Sequence, residues 1–293
     1  MELRNGFYTA LGTPIDENGA IVEGSLRRQI EMQIESGASG LLLMGSMGAE
    51  PAIKDSAYSD AVKIAVSAVN GRLPLFVGVM DNSVVRVMDR IKSFEGEAID
   101  GVVVTNPYYF AVTDAPTLIN WYKMIADRSP YPVYIYDLPG VTKSKVTIAV
   151  IDGLISHSNI KGIKSADWEL MKAIERKYPD SDFACLYSGL DTFDYGHMMG
   201  IKKNLDGMFC CTPKNGKKLY ECLNAGDYAG ARAALDNILL MRNTMISVGL
   251  FAAFTVCMNL IGCEGCYNED FRLPLDDKAK KTVEDTMRKI GEI

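Results

Sequence analysis

Ile160-Lys161-Gly162-Ile163-Lys164-Ser165 is an apolar, strand-like run that closes on a lysine where a buried strand should end. An earlier run, Val133-Tyr134-Ile135-Tyr136-Asp137-Leu138-Pro139, has the same form and closes on a tyrosine. Strand side chains alternate in direction, so Gly162 and Lys164 share one face, and Tyr134 and Tyr136 share one face of theirs. If the aliphatic residues face a layer of helices, Tyr136 and Lys164 both project inward at the carboxyl ends of their strands. A lysine in a dry, enclosed site loses part of its preference for being charged. A neutral amine attacks a ketone to give a Schiff base, and a phenol beside it can carry the protons. Taken singly, Tyr136 reads as a core tyrosine and Lys164 as a strand-end lysine reaching water. Their joint placement makes the chemical reading the stronger one.

Similar β-rich runs fall at 7–11, 40–44, 75–79, 101–105, 133–136, 160–164, 183–187 and 207–210. Most are continuous apolar runs, which suits parallel strands covered by helices on the outside. Helical periodicity fills the gaps: 23–36 stops at Gly37, 54–69 stops at Asn70-Gly71, and 114–126 opens with Asp114-Ala115-Pro116. Eight such units in roughly 220 residues predict an α/β fold, a (β/α)8 TIM barrel. A doubly wound sheet would carry a Gly-rich dinucleotide loop after its first strand. The chain has Gly12-Thr13-Pro14 there instead. After Thr212 the β signal disappears, and helices broken near 225–227, 262–265 and 272–274 follow. The expected division is a catalytic barrel over 1–225 and a helical C-terminal extension over 226–293.

The 293 residues are 48% hydrophobic and 23% charged, as in ordinary globular enzymes. A net charge of −6 without a dense basic run gives no footprint for nucleic acid. The longest apolar stretches are too short and interrupted to span a bilayer. Met1-Glu2-Leu3-Arg4-Asn5 leads into a strand-like segment without the apolar core of a signal peptide, so a cytoplasmic location is expected. Cys263-Glu264-Gly265-Cys266 has CxxC spacing, but no second pair or nearby histidine completes a metal site. A reduced pair in a loop is the expectation.

In TIM barrels the reacting groups gather at the carboxyl ends of the strands. The second strand leads into Gly45-Ser46-Met47-Gly48-Ala49-Glu50, whose backbone N–H groups suit a carboxylate. The fourth leads into Asn106-Pro107-Tyr108-Tyr109-Phe110. With Gly12-Thr13-Pro14, Tyr136-Asp137-Leu138-Pro139, Gly162-Ile163-Lys164 and Ser188-Gly189-Leu190-Asp191, these motifs resemble the dihydrodipicolinate synthase and N-acetylneuraminate lyase superfamily. The resemblance covers nearly the whole length. It implies class I aldolases that use pyruvate, with Lys164 forming the Schiff base and Tyr136 shuttling protons. It also implies that Ser46 relays protons and holds the pyruvate carboxylate, and that Tyr109 is lent to a neighbouring subunit, in a homotetramer built as a dimer of dimers. Met47, Gly189, Asp191, Gly207 and Phe209 would surround the substrate. No metal or diffusible cofactor is expected, because the iminium is the electron sink.

Departures from the family pattern bear on the acceptor. Met47 replaces a second hydroxyl residue, Ala49 takes the glutamate position with Glu50 one place later, and Asp137 replaces an asparagine. Val141 stands where dihydrodipicolinate synthases place an arginine for the second substrate's carboxylate. Sialic acid lyases would suggest a threonine and a glutamate where this chain has Ala166 and Thr192. Asp191 could accept hydrogen bonds from a polyol or cap a helix. The leading expectation is a pyruvate-dependent lyase acting on a 4-hydroxy-2-oxo acid, with pyruvate and an aldehyde as its partners. The alternatives are a 4-hydroxy-tetrahydrodipicolinate synthase and a catalytically retired barrel that binds a 2-oxo acid.

Overall fold

The computed structural model describes residues 3–293; Met1 and Glu2, which begin the stretch read for a signal peptide, lie outside them. Eight parallel strands close into a barrel in chain order: β1 (Gly6–Ala10), β2 (Gly40–Leu43), β3 (Leu75–Gly78), β4 (Gly101–Thr105), β5 (Val133–Tyr136), β6 (Ile160–Ser165), β7 (Ala184–Tyr187) and β8 (Lys203–Asp206). Between them run α1 (Glu23–Glu35), α2 (Tyr58–Val69), α3 (Val84–Ser93), α4 (Ala115–Ala126), α5 (Pro139–Thr142), α6 (Ile148–Leu154), α7 (Trp168–Lys177) and α8 (Phe193–Met198). After β8 come α9 (Met208–Cys211), α10 (Pro213–Ala225), α11 (Tyr228–Val248), α12 (Leu250–Leu260) and α13 (Asp277–Lys289). This is a TIM barrel with helices following at its C-terminal end.

The helix boundaries follow local chemistry. Asp114 caps α4 by accepting from the Thr117 amide at 2.8 Å, with proline in the first turn. Ser83, Asp167, Asp227 and Asp276 cap α3, α7, α11 and α13 in the same way. α2 stops where Asn70 turns left-handed at φ +46°.

Two hydrophobic layers result. Between strands and helices lies the large outer core, which runs on through Ala234, Ile238 and Met241 of α11, Phe254 of α12 and Met287 of α13. Inside the barrel a smaller cluster holds Tyr8, Ala10, Leu42, Phe76, Val103, Tyr134, Tyr136, Leu186 and Leu205. Large rings here need small neighbours. A Cβ on Gly101 or Gly162 would come within 3 Å of the Tyr134 ring, and one on Gly40 would come 2.6 Å from Tyr8.

The eighth strand differs from the expected one. The run 207–210 is not a strand; its residues mostly form α9, one buried helical turn, and β8 precedes it at Lys203–Asp206. The reason is a polar side chain on a buried face. Asn204 turns outward to accept from the Tyr220 hydroxyl, and Leu205 turns inward, so the true strand looks polar in sequence. The apolar stretch after it packs under α10 to α12 instead.

Candidate active site

β5 and β6 pair so that Tyr136 lies directly beside Lys164, and Tyr134 beside Gly162. The alternation read from the sequence therefore holds. Both side chains are nearly buried, and the Lys164 Nζ stands 4.0 Å from the centre of the Tyr136 ring. From the β2 loop, the Ser46 hydroxyl donates to the Tyr136 hydroxyl at 3.4 Å. Met47 packs its side chain over Gly207, where a Cβ would come 2.7 Å from it. Lys164, Tyr136, Ser46, Met47 and Gly207 thus meet at the carboxyl ends of the strands. An amine, a phenol and a hydroxyl brought together are a nucleophile and a proton path.

The remaining expected residues divide. Gly189 sits against the Tyr187 hydroxyl, which bonds Thr192 at 2.6 Å; its neighbour Ser188 lines the cavity. Asp191 neither caps a helix with its side chain nor lies free for a polyol. It takes a two-pronged ion pair from Arg242 of α11, which holds its carboxyl below the usual carboxylate range. Phe209 is a correction: in α9 it is fully buried, with its ring 5.0 Å from that of Phe7 in the outer core, so its side chain does not face substrate. Tyr109 lies 77% exposed, edge-on to Phe110, and lines neither cavity described below.

Two cavities lie on either side of the Ser46–Tyr136 hydrogen bond, one bordered by each residue. The larger, about 660 Å³, is bounded by Tyr136, Lys164, Lys145, Asp167, Ser188 and Asp206. The smaller, about 250 Å³, is bounded by Ser46, Met80, Thr105, Leu138, Val141 and Phe251. Leu138 borders both. Asp137, the replacement for an asparagine, is structural: its oxygens accept from the Val146 amide at 2.9 Å and the Ser165 hydroxyl at 2.7 Å. Burial pushes its carboxyl above the ordinary range.

Two features escaped the sequence reading. Asp206, at the end of β8, accepts from the Met208 amide at 2.7 Å; burial raises its carboxyl while Lys164 and Arg242 pull it back. It was hidden because the strand was placed too late. The second is Glu50, fully buried against Arg90 of α3 at 2.6 Å. Only an unplaced glutamate in the sequence hinted at it.

A family model for the dihydrodipicolinate synthetase family matches residues 4–292. The chain belongs to that family. Its members are class I, Schiff-base carbon–carbon lyases and aldolases, and the chain is an enzyme of this class. The family's substrates are pyruvate and an aldehyde or other acceptor. A 4-hydroxy-tetrahydrodipicolinate synthase of Methylobacterium radiotolerans is 27% identical over 296 residues, covering 98% of this chain and 95% of that one. The dihydrodipicolinate synthase of Thermotoga maritima shares the fold at a TM-score of 0.89 and 22% identity, covering 99% and 100% of the two chains. The N-acetylneuraminate lyase of Proteus mirabilis does so at 0.89 and 17%, covering 99% of each. Among the described residues no helix is long and apolar enough to cross a membrane.

Proposed function

We propose that this family member joins pyruvate to an aldehyde, and cleaves the resulting 4-hydroxy-2-oxo acid, through a Schiff base on Lys164. The observation that carries this is the buried Lys164 amine 4.0 Å from the centre of the Tyr136 ring. The amine adds to the keto carbon, and the carbinolamine loses water to give an iminium. In cleavage, Tyr136 takes the 4-hydroxyl proton, the C3–C4 bond breaks, and its electron pair flows into the iminium to leave an enamine. Protonation at carbon and addition of water release pyruvate and free Lys164. Condensation is the reverse. Ser46 relays the proton from Tyr136 and, with the Met47 amide, holds the pyruvate carboxylate. Tyr109 completes the site of a second copy in a tetramer; its exposure supports this.

Two acceptors have support. The names of the relatives put the synthase reaction first, in which a semialdehyde carries its own carboxylate; Lys145, ion-paired with Asp167 on the cavity wall, is then the cation that would exchange its partner for that carboxylate. Val141 favours the second, an aldehyde with a neutral tail, because valine offers that carboxylate no partner. The test is a panel of aldehydes offered with pyruvate, followed by detection of the 4-hydroxy-2-oxo product or its cyclised form. Turnover that survives in Lys164→Arg would overturn the proposal, since a guanidinium stays protonated.

A further inference from the structure

We propose that Glu50 is a positioning residue: gripped by Arg90 and Tyr58, it sets the Ser46 hydroxyl against the Tyr136 phenol. This rests on the reading of Tyr136 as proton carrier. Glu50 touches no reacting atom and acts through the loop that connects it to Ser46.

That loop is short and closed on itself. The Gly45 carbonyl accepts from the Gly48 amide at 3.0 Å and from the Glu50 amide at 3.4 Å, while the Ala49 amide donates to the Ser46 carbonyl at 3.1 Å. Glu50 is therefore one hydrogen bond from the residue that precedes Ser46. Met44 and Ala49, on either side, are left-handed at φ +54° and +50°. Side chains with a Cβ resist that region, and it persists only where the surroundings over-determine it. At the front the loop is pinned on β3, where a Cβ on Gly78 would stand 1.8 Å from the Met44 carbonyl.

At the back it is pinned by charge. The Glu50 carboxylate accepts from Arg90 at 2.6 Å and from the Tyr58 hydroxyl at 2.5 Å. Arg90 in turn holds Asp81 at 3.2 Å, Asp55 at 3.1 Å and the Met80 carbonyl, and Arg86 holds Asp81 at 2.8 Å. The connections after β2 and after β3 therefore converge on one guanidinium of α3. A buried ion pair is weak evidence for stability, since desolvation opposes the attraction. Breaking one leaves an uncompensated charge, so the pair holds its geometry firmly. The second Glu50 oxygen is buried without a partner among the described residues. The grip of Arg90 and Tyr58 falls on the other oxygen alone.

The test is a double-mutant cycle at about pH 8, above the titration of a carboxyl that burial raises to about 7. Glu50→Gln keeps the shape and loosens the grip on Arg90, so kcat should fall about tenfold with KM for pyruvate changing by less than about twofold. In a Ser46→Ala background the same substitution should lower kcat no further, because the group it positions is gone. If the two losses simply multiply, or if Glu50→Gln matches the wild type, the proposal is overturned. Should Glu50→Gln not fold, Arg90→Lys keeps the charge, loses the fork and enters the same cycle. A wild type that forms no imine with pyruvate overturns the functional reading instead, and is scored before the cycle.

Discussion

On one side of Tyr136 the mouth of the barrel is walled by Met80, Thr105, Leu138, Val141 and Phe251; on the other by Lys145, Asp167, Glu169, Ser188 and Asp206. The first wall belongs to the ends of β2 to β5 and to α12, and apart from hydroxyls and Glu269, which is ion-paired with Arg272, it is largely apolar. The second belongs to the loop after β5, which carries Lys145, and to the ends of β6 to β8, and it carries both signs of charge. Lys164 and Tyr136 border the second wall, and Ser46, hydrogen-bonded to Tyr136, borders the first; these three form the seam. The contrast separates two tasks. Imine chemistry needs only the seam, whereas the choice of acceptor depends on which wall receives the rest of the molecule.

The largest expected effect lies at the seam. Tyr136→Phe keeps the ring over Lys164 and removes the proton carrier, so turnover should fall by roughly 10²–10⁴-fold while imine formation survives in part. Near-normal turnover would leave the seam without a role.

Behind the apolar wall, Glu50 couples loop order to pH. Burial raises its carboxyl from the ordinary 4.5 to about 7, against the pull of Arg90 and Tyr58. Between these values the folded chain holds a proton that the unfolded chain has released. The contribution of this group to stability is therefore present below about pH 4.5 and declines as pH rises to about 7, by on the order of 3 kcal/mol. Denaturant midpoints across this interval should fall more steeply for the wild type than for Glu50→Gln. Parallel profiles would mean that Glu50 titrates normally.

A smaller effect would sharpen the comparison itself. Val141 is 55% exposed, so an arginine fits there without entering the core. Val141→Arg should raise kcat/KM for a carboxylate-bearing semialdehyde by about tenfold relative to a neutral aldehyde, because a guanidinium forks onto a carboxylate. No change in that ratio would assign the acceptor to the charged wall and to Lys145. The smallest effect belongs to Asp137→Asn, which should cost about 1 kcal/mol or less. The amide oxygen still accepts from Val146, and the Ser165 hydroxyl turns to accept from the amide nitrogen. A loss of several kcal/mol would show that the carboxylate charge itself is needed.

The strand pair at the seam was legible because strand parity alone fixes it: alternation put Tyr136 and Lys164 on one face, and neighbouring strands in register did the rest. The charged wall was not. β8 is short and polar on its outer side, and the apolar turn after it imitates a strand. That shift moved Phe209 wrongly into the site and hid Asp206. The ion pairs were illegible for another reason. Asp191 with Arg242, and Glu50 with Arg90, join residues far apart in sequence, and no local pattern announces a partner on another helix.

Reductive trapping tests the central claim most directly. Treated with pyruvate and borohydride, the chain should gain one irreversible pyruvate-derived adduct per subunit, and peptide mapping should place it on Lys164. An adduct on Lys161, which lines a separate cavity at the amino ends of the strands and reaches Asp182, or no adduct at all, would contradict the account.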